Sequence, residues 1–284
     1  MTRVEAFTKT TAAGLVLFAL FLGSRPTNEY DFSESAGILR GNAQSLLNNR
    51  LKQDPIDSSA GFSDEVLDTI SRATVRLTTS SFLSLAQCSG SIVGRNEESL
   101  KILTNRHCVD NLGTGSEVIV SRPAIDQEQL SYRITTVITS PKPAPDLALL
   151  NLKVISPNKH FDTKPLDMAT VLPASCDGCL ASGYPGAYNT TPRMLLELFG
   201  DQSGQLLYRR IANFAAFRDE DYITNLTVSP GSSGSAVVNR DGQIVGAIYG
   251  GVREVSGKKA DGIAIAAKLT KQITDSIKAG LVGK

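Results

Sequence analysis

Three short stretches hold residue types that can do chemistry together. Gly231-Ser232-Ser233-Gly234 sets a hydroxyl between two glycines, in a turn that runs into the apolar Ala236-Val237-Val238. Glycine lets the backbone bend sharply there and turn its N–H groups toward the hydroxyl. Donors beside a nucleophile are what acyl transfer requires, because negative charge builds on the attacked carbonyl oxygen. Taken alone, the stretch reads more simply as a hairpin loop. Leu103-Thr104-Asn105-Arg106-His107-Cys108-Val109 ends an apolar run with one of only two histidines in the chain. Pro145-Asp146-Leu147-Ala148-Leu149-Leu150 places a single carboxylate at the head of a strongly apolar run. Each has a plain structural reading as a turn or cap. In combination they supply an imidazole, a carboxylate and an alcohol, spaced 39 and 87 residues apart, each beside a strand end.

The elements that must bring these groups together are short strands. Apolar runs cover 74–82, 87–94, 100–104, 117–121, 131–140 and 146–154. A second series covers 179–184, 193–198, 206–214, 221–226, 235–239, 243–250 and 262–267. Runs of this length between turn residues predict an all-β fold of two six-stranded antiparallel barrels. Asn239-Arg240-Asp241-Gly242 carries the Asp-Gly signature of a tight hairpin. Asp64 to Ile70 reads as a helical turn. Leu269, Ile273, Ile277 and Leu281 fall four apart and predict an amphipathic C-terminal helix over 268–281.

Composition narrows the partners. The 284 residues hold 29 basic and 28 acidic side chains, a net charge of +1, so nothing favours nucleic acid. After a basic start, the twelve residues Ala12 to Gly23 are uncharged and mostly apolar. That is short of the ~20 needed to span a bilayer. It predicts a secretory signal over 1–24, no stable membrane anchor, and a secreted or periplasmic protein. Residues 25–63 read as a leader, linker or removable pro-segment, 64–160 as the first barrel and 161–284 as the second with the terminal helix. Four cysteines (Cys88, Cys108, Cys176 and Cys179) allow three pairings. Cys176-Asp177-Gly178-Cys179 lacks the βαβ context of a redox motif and the further ligands of a zinc site, and reads as a local disulfide in a surface loop. His160 has no neighbours at ligand spacing. Neither a metal nor a cofactor is expected.

The order His107, Asp146, Ser233 and the boxes around them resemble the trypsin-like serine peptidases, from about Asp64 to Ile277. The resemblance implies a chymotrypsin-like fold and an exported serine endopeptidase acting on peptide or protein substrates. Ser233 would be the nucleophile, His107 the general base and Asp146 its orienting carboxylate, with the Gly231 and Ser233 N–H groups as oxyanion hole. It implies a Cys88–Cys108 disulfide, closing a loop of 20 residues worth about 3 kcal/mol. Thr227 would lie at the base of the primary pocket, with Ile248, Tyr249, Gly250, Gly262 and Ala264 in its walls. None of these is charged, so a neutral or apolar side chain is expected before the scissile bond. The last strands are similar to those of bacterial glutamyl endopeptidases, but Ile248 stands where that group carries a histidine for acidic substrates. Ser232 replaces the acidic residue through which trypsin answers a freed N-terminus, so that mode of activation is not implied. The competing reading is a catalytically silent trypsin-fold module that binds peptides. An esterase or thioredoxin-like oxidoreductase would need a helix-rich architecture that the pattern lacks.

Overall fold

Ser63 caps the first described helix. Its hydroxyl accepts the Val66 N–H at 3.3 Å, and Asp64 and Glu65 complement the positive end of α1 (Asp64–Ala73). The face formed by Leu67, Ile70 and Ala73 is buried. β-Branched Thr74 then turns the chain directly into β1 (Thr74–Ser80). The computed structural model describes residues 61–80, 85–126, 128–140, 145–155, 161–184, 190–191, 208–218, 220–224, 226, 228, 231–251, 254–255, 258–259, 263–271 and 273–275. The expected signal and most of the leader, the 193–198 run, His160 and the end of the terminal helix lie outside them.

After β1 come β2 (Leu85–Arg95), β3 (Ser99–Thr104), β4 (Glu117–Ser121), β5 (Gln129–Thr139) and β6 (Ala148–Val154). They pair antiparallel in the order β1-β4-β5-β6-β3-β2, and β1 also pairs with β2, so the six strands return on themselves. Alternation drives this closure. In β5, Leu130, Tyr132 and Ile134 are buried between exposed Gln129, Ser131 and Arg133. The two-residue β8 (Thr190–Thr191) joins the free side of β2.

The second series gives β7 (Cys176–Gly183), β9 (Tyr208–Arg218), β10 (Asp221–Thr224), β11 (Ala236–Val238), β12 (Ile244–Gly251) and β15 (Ala264–Lys268). These six close a barrel in the order β10-β15-β12-β11-β7-β9. Between β12 and β15, β13 (Glu254–Val255) and β14 (Lys258–Lys259) pair as a separate ribbon. The predicted hairpin at Asn239 joins β11 to β12. Asn239 Oδ1 accepts the N–H groups of Asp241 and Gln243 at 3.1 and 2.9 Å, and Gly242 takes φ +77°. Of the C-terminal helix, Lys271 and Ile273–Asp275 are described as helical, with Leu269 and Ile273 buried as the spacing predicts.

The barrels share apolar contacts. One cluster runs from Ile70, Val75 and Leu150 on the N-terminal side to Leu180, Val238, Ala247 and Ile273 on the C-terminal side. Thr74 Oγ1 and Ser182 Oγ are hydrogen-bonded across this boundary at 2.8 Å, both fully buried.

Candidate active site

Thr104 ends β3, and the chain turns through a single 3₁₀ turn, Arg106–Cys108. That turn carries His107 onto Asp146, which sits two residues ahead of β6. The ring Nδ1 lies 2.5 Å from Asp146 Oδ2, and the His107 backbone N–H donates to Asp146 Oδ1 at 3.1 Å. Both carboxylate oxygens are therefore engaged by one residue, and the ring's orientation is fixed. Asn105 is buried and donates from Nδ2 to the Asp146 carbonyl at 2.7 Å. Arg106, also buried, donates from Nη1 to the Ser140 carbonyl at 2.9 Å and brings Nε to 3.9 Å from Asp146 Oδ1.

Asp146 is 4 % exposed. Burial pushes its carboxyl up, but the hydrogen bond from the His107 ring, the ring's positive form, the His107 backbone N–H and the Arg106 guanidinium outweigh burial. Together they hold the group below the ordinary aspartate range.

The serine turn belongs to the other barrel, and β2 grips it. Ser89 N–H donates to the Ser233 carbonyl at 2.7 Å, and Ser89 Oγ donates to the Gly231 carbonyl at 2.8 Å. The same hydroxyl accepts the Tyr184 N–H at 2.8 Å. Thr104, three residues before His107, donates to the Ser89 carbonyl at 2.8 Å. From the far side, Gly234 N–H donates to the Ile248 carbonyl and Ile248 N–H to the Ser235 carbonyl, each at 2.8 Å. Gly231 and Gly234 take φ +90° and +86°. A Cβ on Gly234 would stand 2.0 Å from the Ser89 carbonyl oxygen, so only glycine fits. Among the described residues, no acceptor holds the N–H of Gly231 or Ser233. Ser233 Oγ and the His107 ring are not hydrogen-bonded to each other.

Cys88 and Cys108 are joined, with their Cα atoms 6.2 Å apart. This bridge ties the residue before Ser89 to the residue after His107, and its sulfurs lie within 4.8 Å of a ring nitrogen of His107. Although the three side chains are close enough to suggest a metal, both thiols are spent in the disulfide. Cys176 and Cys179 are also joined, but not in a surface loop. They lie on β7 and are buried, because Gly178, at φ +71°, forms a bulge inside the strand rather than ending it.

The expected pocket residues are split. Thr227 and Gly262 lie outside the described residues. Tyr249 and Gly250 are partly exposed on β12, whereas the Ile248 and Ala264 side chains are packed in the core of the second barrel. Ile248 is also spoken for on its main chain by the serine turn, so it supports that turn from behind rather than forming an open wall. A pair that the sequence reading passed over stands nearby: a Cβ on Gly251 would come within 2.9 Å of Val228 Cγ2. Ser89, Asn105 and Arg106 were likewise unassigned, although Asn105 and Arg106 sit within the histidine stretch and Ser89 follows Cys88.

Among solved structures, the fold is similar to two forms of the Rv3671c protease from M. tuberculosis. The inactive serine-to-alanine mutant aligns with TM-score 0.53 and 16% identity, covering 83% of this chain and 98% of that one. The active form aligns with TM-score 0.52 and 15% identity, covering 82% and 95%. A scabies mite inactivated protease paralogue aligns with TM-score 0.54 and 16% identity, covering 74% and 96%. At these identities the likeness is one of fold. No curated protein matches the sequence. Residues 88–246, which hold all three chemical stretches and more than half of the chain, match the trypsin-like peptidase domain, and the protein belongs to that family.

Proposed function

We propose that this protein is an exported serine endopeptidase. In this reading Ser233 attacks the scissile carbonyl while His107 Nε2 takes the hydroxyl proton. The new C–O bond forms as the carbonyl π electrons move to oxygen, where the N–H groups of Gly231 and Ser233 would receive the charge. The C–N bond then breaks, and the same proton passes from His107 to the leaving amine. Water, with His107 again as base, hydrolyses the acyl-enzyme. Asp146 keeps the ring in the tautomer that leaves Nε2 free to accept.

The observation that carries this reading is the double engagement of Asp146 by His107, with Nδ1 at 2.5 Å, in a family of peptidases. The two uncommitted N–H groups beside Ser233 support it. The missing Ser233–His107 hydrogen bond does not oppose it, because such bonds are often long until substrate closes the site. Export is supported by the apolar segment near the N-terminus and by the two disulfides, which persist in oxidising compartments. The uncharged side chains of Val228 and Tyr249 favour a neutral or apolar residue before the cleaved bond. We do not carry over glutamate specificity, given Ile248.

A fluorophosphonate probe tests the chemistry directly. Covalent labelling on Ser233, lost in Ser233→Ala and His107→Ala, is the expected result. A folded protein that stays unlabelled but binds extended peptides would instead be the silent module.

A further inference from the structure

We propose that Arg106 is a positioning residue that weakens the hold of Asp146 on the charged form of His107, and so frees the base at a lower pH. This deepens the endopeptidase reading and rests on it for its consequence, but its geometry stands separately. Asp146 presents Oδ2 to the His107 ring and Oδ1 toward the guanidinium, with Arg106 Nε 3.9 Å away. The two side chains are 8 % and 4 % exposed, so water screens the pair little. The guanidinium is held in place from its other end by the Ser140 carbonyl, which accepts from Nη1 at 2.9 Å. Ser140 N–H in turn donates to the Leu147 carbonyl, beside Asp146. Arg106 thus ties Ser140 to the turn that carries Asp146 and faces the carboxylate with a positive charge.

One carboxylate then answers two cations whenever His107 is protonated. A lone buried Asp146 would stabilise the imidazolium more strongly than one already partly compensated by Arg106. The neighbours from other elements leave this balance alone. Among the described residues, the disulfide of β2 does not titrate, and Asn105 and Ser140, which touch Asp146 and Arg106, contribute only neutral groups.

The imidazole can be watched without substrate, because the chain has two histidines. The full chain, labelled with ¹³C and ¹⁵N in histidine, is titrated by NMR, and His160→Gln assigns the signals. Arg106→Gln should raise the His107 midpoint by about half a unit to one unit, roughly a three- to tenfold rise in proton affinity. Arg106→Lys keeps the charge but loses the fork to Ser140, and should leave the midpoint within about 0.3 unit. The acid limb of kcat/KM should move with the NMR midpoint in each variant. An unmoved midpoint in folded Arg106→Gln overturns the proposal. So does an equal shift in Arg106→Lys, which would mark the residue as a loop tie only. Should Arg106→Gln fail to fold, Arg106→Met, uncharged and of similar length, takes its place: a raised midpoint supports the proposal and an unmoved one overturns it. A parent that titrates as expected yet never labels at Ser233 would sink the enzyme reading and leave this one standing.

Discussion

Asp146 faces burial, which favours the neutral acid, and a set of donors and cations, which favour the carboxylate. The second side wins, and a stability prediction follows with a definite sign. In the unfolded chain the group titrates near 3.8, and in the folded protein below that. Between the two values the unfolded chain binds more protons, so stability falls as pH is lowered through this window. Above about pH 5 the contribution is complete. Comparing thermal unfolding of the parent and Asp146→Asn from pH 5 to 3 should show the parent's advantage shrinking on acidification. A constant gap would mean that the carboxylate is not stabilised by its partners. Turnover should respond far more strongly than stability. With asparagine holding the ring in the wrong tautomer, kcat is expected to fall about 10⁴-fold while the fold persists. The contact between His107 and Asp146 was legible in the sequence, and Ser233 stood out as a candidate, because each sits in a short local pattern. Arg106 stood inside the histidine stretch and Ser89 far from all three, next to Cys88, and both were silent, since their meaning depends on which carbonyl or carboxylate the fold delivers to them.

At the scale of elements, β2 does more than close the first barrel. Its Ser89 makes the hydrogen bonds that seat the serine turn, and removing the hydroxyl leaves the buried Tyr184 N–H and Gly231 carbonyl without that partner. Ser89→Ala should cost about 1–3 kcal/mol in urea unfolding. It should also reduce the rate of Ser233 labelling, because the Gly231 peptide loses its anchor. Labelling at the parental rate would show that the Ser89 N–H, Gly234 and Ile248 seat the turn without the hydroxyl. Gly234→Ala meets a harder obstacle, a Cβ 2.0 Å from a backbone oxygen at φ +86°, and is expected to destabilise more than Ser89→Ala in the same assay. Element boundaries show where sequence patterns stop short. Glu117–Ser121 emerged as read, because its alternation begins and ends at polar turns. β6 starts at Ala148 rather than Asp146, since Leu147 N–H bonds the Pro145 carbonyl in a tight turn that holds the carboxylate out of the strand. Asp177-Gly178 looked like a loop and proved to be a bulge, a distinction that pairing with β9 makes and local composition does not.

For the whole molecule, the two barrels were legible as two runs of strands, but their dependence on each other was not. α1 shows it best. It leads directly into β1, and its C-terminal Arg72 carbonyl accepts from Arg122 of the first barrel's β4–β5 connection at 3.3 Å. On its other side, Val66 packs within 3.2 Å of the position a Cβ on Gly242 would take, in the hairpin of the second barrel. Ile70, fully buried on the same helix, belongs to the cluster that both barrels share. Among the described residues, separating the barrels would expose apolar surface from each. Calorimetry of the body should therefore give one transition, with the calorimetric and van't Hoff enthalpies equal. Ile70→Ala should lower that single transition by the equivalent of about 2–5 kcal/mol, rather than splitting it. Two resolved peaks, with only the earlier one moved by Ile70→Ala, would show barrels that fold independently. The candidate site would then depend on docking between them, with Ser233 and His107 meeting only when the two halves close.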